Sequence, residues 1–170
     1  MNYPTHEKIN IDKLLPLIDK LQGEPVDLSN RSSRGEKSIQ YNLFNYIENF
    51  KEAINLVVDN LSKNKKYKLL SAWTVIGEED SYHLVHKHNG YKNHIATVLY
   101  LKVPKKRFHK SGDFYYFFKD EDGNIKKETI SPEVGSLIVM PINTYHGAYP
   151  QGEGIRQTLN LDFEVIDFHA

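Results

Sequence analysis

Arg156-Gln157-Thr158-Leu159-Asn160-Leu161-Asp162 alternates polar and apolar side chains after its second residue. In an extended chain successive side chains point to opposite faces, so Arg156, Thr158, Asn160 and Asp162 share one face. Leu159, Leu161 and Phe163 share the other. A polar face inside a protein is costly unless it lines a pocket. The same alternation also describes a strand of a one-sided sheet wetted on its polar face. Arginine carries a rigid fork of donors that suits a carboxylate, and a hydroxyl two residues on can add a third bond. The spacing predicts a strand over Ile155–Ile166, with a candidate anion site at Arg156 and Thr158.

Upstream, other strand-like runs precede it. Lys68–Ile76 is β-rich and stops at Gly77; Ile95–Val103 stops at Pro104. Asp113–Lys119 and Ile125–Ile130 flank Asp120-Glu121-Asp122-Gly123-Asn124, the composition of a hairpin turn. That turn lacks the twelve-residue ligand spacing of a calcium loop. Pro132–Gly135 feeds a further strand, Ser136–Ile142.

The first third reads differently. Ile11, Leu14, Leu15, Ile18 and Leu21 fall at helical spacing, with Pro16 tolerated in a first turn. Gly23-Glu24-Pro25 stops that segment, and Leu28–Ser38 has no period and reads as a loop. Phe44, Ile47, Phe50, Ile54, Val57, Val58 and Leu61 predict a longer amphipathic helix over Leu43–Leu61. Two helices followed by many short strands predict a mainly β domain backed by helices, a sandwich or barrel. One domain is expected over residues 1–170, helical over 1–66 and with its β core over 67–170.

The histidines are clustered: His83, His86, His88 and His94 lie within a dozen residues. His86-Lys87-His88 at a strand end offers two imidazoles to one point, because residues two apart share a strand face. His146, just past Ser136–Ile142, is the candidate third ligand. Three imidazoles on one side of an octahedral ion leave positions open, and they suit iron, zinc, copper or nickel alike. His83, three residues from His86, does not share its strand face and ranks lower. His6, His94, His109 and His169 read as surface residues.

Several of these features stand together, in order: Trp73, Tyr82–His88, Ala96–Leu101, Gly112-Asp113-Phe114, Pro132–Leu137, Pro141, His146 and Arg156-Gln157-Thr158. Over Trp73–Asp162, a little over half the chain, the sequence resembles the 2-oxoglutarate- and iron(II)-dependent oxygenases, closest to their small bacterial and phage branch. The resemblance implies a double-stranded β-helix (jelly-roll) core with the N-terminal helices packed outside one sheet. It implies iron(II), that is Fe(II), on His86, His88 and His146, with His88 where most of that superfamily has an aspartate or glutamate. It also implies that Arg156 and Thr158 hold the distal carboxylate of 2-oxoglutarate. The implied activity is hydroxylation of a small molecule or peptide, with no side-chain general base. A neutral imidazole in place of a carboxylate makes the metal site one unit more positive. Two rivals therefore stay open: a cupin-like three-histidine dioxygenase or isomerase without 2-oxoglutarate, and a non-enzymatic jelly-roll binding module.

Composition narrows the rest. Lys+Arg and Asp+Glu balance at 22 each, so no overall field draws the chain to nucleic acid or an anionic membrane. The basic runs Lys63–Lys66 and Lys105–Arg107 read as solvated loops. The chain has no cysteine, which excludes disulfides, a thiolate zinc site and a cysteine nucleophile. With a polar Met1–Asn10 and no apolar run longer than Leu137–Ile142, a cytoplasmic protein is expected. The candidate lid segments, Leu28–Ser38 and Lys105–Gly112, carry no specificity motif. Oligomeric state has no signature.

Overall fold

The computed structural model describes residues 4–26 and 38–167. Among them, β1 (Thr5–Lys8), β2 (Glu24–Val26), β3 (Ser38–Asn42) and β4 (Lys65–Gly77) come first. They are followed by β5 (His83–His86), β6 (His94–Lys102), β7 (Phe114–Lys119) and β8 (Ile125–Ile130). The last three are β9 (Ser136–Pro141), β10 (His146–Ala148) and β11 (Arg156–Asp167). They form two antiparallel sheets: a seven-stranded one ordered β1-β9-β6-β11-β4-β3-β2, and a four-stranded one ordered β5-β10-β7-β8. The expected jelly roll is what forms.

Period two explains how the larger sheet serves two cores. Ile95, Leu99 and Leu101 of β6, Leu137 and Val139 of β9, and Leu159, Leu161 and Phe163 of β11 face the helical layer. Ala96, Val98 and Tyr100 of β6, with Ile138 and Met140 of β9, instead meet Phe114 and Tyr116 of β7 between the sheets. Strands covered on both faces read as nearly continuous apolar runs, as β6 and β9 do. Strand β11 lies between β6 and β4, so its polar face points between the sheets and not to water. Of the two readings that its alternation allowed, the pocket-lining one holds.

Leu161 is wholly buried at the centre of the helix-facing core. Leu161→Ala is expected to lower unfolding stability by about 2–5 kcal/mol, the usual cost of a large-to-small change at such a site. Chemical denaturation checks this, and a loss below ~1 kcal/mol would show that the core collapses around the gap.

The helices are shorter than the spacing predicts. A 3-10 turn, Asp12–Leu14, leads into α1 (Leu15–Ile18), with Pro16 in its first turn. Leu14, Ile18 and Leu21 are buried, but Leu15 faces solvent. Phe44–Phe50 is 3-10 with a break at Tyr46, and only α2 (Lys51–Asp59) is α-helical. Tighter winding rotates successive side chains differently, so Phe44 is exposed while Phe50, Val57 and Leu61 stay in the core. Strands β1, β2 and β3 also fall in the first 66 residues, beside these helices, and join the large sheet. The β7–β8 hairpin forms as expected, turning through Gly123 at φ +81°. Residues 28–37 of the candidate lid Leu28–Ser38 lie outside the described residues, and Ser38 opens β3. No helix among the described residues is long and apolar enough to cross a membrane.

Candidate metal centre

The ends of two neighbouring short strands bring the first two imidazoles together. His86 closes β5 and His146 opens β10, and the two are direct cross-strand partners. Their ring centroids lie 4.4 Å apart. Gly147 follows because the chain is crowded there: a Cβ would come 2.7 Å from the His83 carbonyl oxygen. His88 joins from the loop after β5, with its ring centroid 5.2 Å from that of His146. The pairing of His86 with His88 is thus real, but its cause differs from the one the sequence suggests. The strand ends at His86, and the loop, not a shared strand face, presents His88.

The ligating atoms of His86, His88 and His146 all lie within 4.8 Å of one another. Each ring is oriented from its far side by an acceptor. His86 Nδ1 lies 2.8 Å from the Leu84 carbonyl oxygen, and His146 Nδ1 lies 2.9 Å from that of Thr144. His88 Nδ1 lies 3.0 Å from Asp162 Oδ1. Carbonyl and carboxylate oxygens accept, so Nδ1 carries a proton in each ring, and Nε2 is the atom that each imidazole would offer to a metal. Such partners behind the ligands fix the tautomer that a metal needs. His146 is 5% exposed. Burial first, then the neighbouring His86 and His88, holds its imidazole pKa down at about 3. It is therefore neutral, as a ligand must be. Phe114 stacks on His146 and Trp73 sets its edge against His88, which limits rotation of both rings.

Deeper between the sheets lies Arg156, 2% exposed. Neither Nη1 nor Nη2 has a hydrogen-bond partner among the described residues. Burial lowers its pKa from the ordinary value, and the nearby Tyr100 phenol opposes that. A guanidinium so placed lacks an acceptor, and the best match to its fork is a carboxylate. Thr158 Oγ1 accepts from Asn160 Nδ2 at 3.0 Å, which leaves its own hydrogen to donate. The three histidines, Arg156, Thr158 and Tyr100 line one pocket. Burial raises the Tyr100 phenol to about 12 against the pull of Arg156, so it stays a neutral donor.

All five candidate residues from the sequence thus face one pocket. His83 also lines it, outside the group of three. Among the other histidines, His6 bonds Ser136 Oγ, His94 packs against Tyr91 and His109 is exposed. His169 lies outside the described residues. Tyr100 and Asp162 were missed as site residues. Asp162 had a signal, its place on the polar face of β11. Tyr100 had none beyond its strand.

The donor set fits a divalent transition metal of the iron, zinc or nickel kind: three imidazoles, each oriented from behind.

No family model and no curated protein matches the sequence. Solved structures do. A 2OG-Fe(II) oxygenase family oxidoreductase from Burkholderia pseudomallei superposes with a TM-score of 0.69 at 12% identity, over 95% of this chain and 84% of that one. A Pseudomonas putida prolyl-4-hydroxylase gives 0.63 at 15% identity, over 96% and 93%. HygX from Streptomyces hygroscopicus, solved with nickel and 2-oxoglutarate bound, gives 0.66 at 10% identity, over 95% and 82%. At such identities the likeness is one of fold, and the fold of this chain is that of the 2OG-Fe(II) oxygenases.

Proposed function

We propose that the chain is a non-haem iron(II), 2-oxoglutarate-dependent oxygenase that hydroxylates a small molecule or peptide. The observation that carries this is Arg156, a buried guanidinium with two unpartnered nitrogens in the pocket of the three-histidine group. A cupin-like dioxygenase or a metal-bearing binding module has no evident need of such an arginine. Structures of this fold solved with 2-oxoglutarate bound support the reading, as HygX does.

In this reading His86, His88 and His146 hold iron(II) through Nε2. The loaded metal supplies the reaction of O₂ with 2-oxoglutarate, which the protein's own groups cannot perform. What the chain contributes is placement. Arg156 and Thr158 bind the distal carboxylate of 2-oxoglutarate, Tyr100 adds a donor beside Arg156, and Val98 and Phe114 keep water from the inner wall. No side chain moves a proton in this scheme. The balanced charge of the chain accords with a substrate other than nucleic acid, and its lack of cysteine with a cytoplasmic location.

Anaerobic titration of the iron(II) protein with 2-oxoglutarate tests the proposal. A metal-to-ligand charge-transfer band saturating at one equivalent is expected, followed by succinate formation when O₂ is admitted. A protein that binds iron yet shows neither band nor succinate would move the chain to the cupin-like class.

A further inference from the structure

Asp162 is a buried carboxylate with both oxygens engaged. Oδ1 accepts from His88 Nδ1 at 3.0 Å and Oδ2 accepts from Ser71 Oγ at 3.0 Å. It sits where the β4–β11 register slips: Asp162 is opposite Ser71, but Phe163 is opposite Leu69, with Leu70 left over. Bulges of this kind re-aim side chains beside functional sites. The other two imidazoles of the group are oriented by backbone carbonyls within two residues of themselves. His88 takes its acceptor from a side chain on another strand.

We propose that Asp162 is a positioning residue for the metal, through His88. It fixes the His88 ring and its Nδ1–H tautomer. It also returns to the site, one hydrogen bond removed, the negative charge that an all-imidazole ligand set lacks. Both groups are largely out of water, so solvent and salt screen that charge little. The inference rests on the iron reading above, and the experiment keeps the two separable.

Iron(II) affinity by chelator competition and the iron(III)/iron(II) midpoint potential are measured for four variants, with folding checked by thermal melts. Asp162→Ala loses acceptor and charge, so affinity falls about 10- to 100-fold, as for other residues supporting a metal ligand. An anion favours iron(III), so its midpoint rises. Asp162→Asn keeps an acceptor oxygen, so it recovers part of the affinity while its midpoint stays raised. Ser71→Ala keeps the charge but frees the carboxylate to swing, which gives a smaller affinity loss at a near-native midpoint. A purely structural Asp162–His88 pair would lower the melting temperature and leave the midpoint alone.

Native affinity and midpoint in both Asp162 variants, with iron lost in His88→Leu, would overturn the role of Asp162 and spare the iron site. Iron retained in His88→Leu would remove the iron reading and this inference together. Should the Asp162 variants not fold, Ser71→Ala decides, and native affinity there overturns the proposal.

Discussion

His146→Ala is expected to lower iron(II) affinity by at least about a hundredfold, because even residues standing behind a ligand cost 10- to 100-fold when removed. His86→Ala and His88→Ala should follow it closely. A three-ligand site has no redundancy: each loss leaves two imidazoles, and two cannot set the face that three define. His146 is the most exacting of them. It is buried, it is the cross-strand partner of His86, and its ring lies against Phe114. Water reaches that position poorly and cannot readily replace the lost nitrogen. The fold should survive, since none of the three belongs to either apolar core. Metal analysis of the dialysed variants, with melting curves alongside, reads the result. Full occupancy in any one folded variant would strike that histidine from the ligand set.

The regions of the structure that were legible are those where local period and burial agree. Strand β11 shows this best, since its two faces meet two different environments and its residue types alternate to match. The three histidines were legible by type and spacing, though the reason for the convergence of His86 and His88 was not. That reason is a loop path, and His88 is held by Asp162, 74 positions along the chain. No local pattern records a partnership of that span. Strand β3 was hidden for a different cause. Its pattern is inverted, with Ser38 and Gln40 buried and Ile39 half exposed. Pairing with β4 holds it there, and a reading by hydrophobic period cannot see backbone pairing. Phe44 failed for the helical counterpart of this, a 3-10 segment broken at Tyr46 whose side chains do not keep the α-helical stripe, and Leu15 opens an α-helix of only four residues, too short to carry that stripe.

Arg156→Ala is expected to weaken 2-oxoglutarate binding by roughly thirtyfold to several thousandfold, and to leave iron affinity near native. The range is the 2–5 kcal/mol typical of truncating one partner of a buried, hydrogen-bonded charge pair, converted to affinity. The upper end of the range is the better guide here. Arg156 is 2% exposed and its Nη1 and Nη2 have no protein acceptor among the described residues, so a bound carboxylate would meet little competition for them. Arg156→Lys separates charge from shape: a lysine keeps the cation but loses the paired donors, so it should recover only some of the loss. Thr158→Val should cost less than either, since it removes a single neutral donor. The iron site is the internal control, because the metal analysis of these variants should match the parent protein. Titration of each iron(II) variant with 2-oxoglutarate under anaerobic conditions gives the dissociation constants. A folded Arg156→Ala protein that binds 2-oxoglutarate as the parent does would remove the cosubstrate from this pocket. The buried guanidinium would then await a different anion, and the three-histidine centre would belong to chemistry that runs without 2-oxoglutarate.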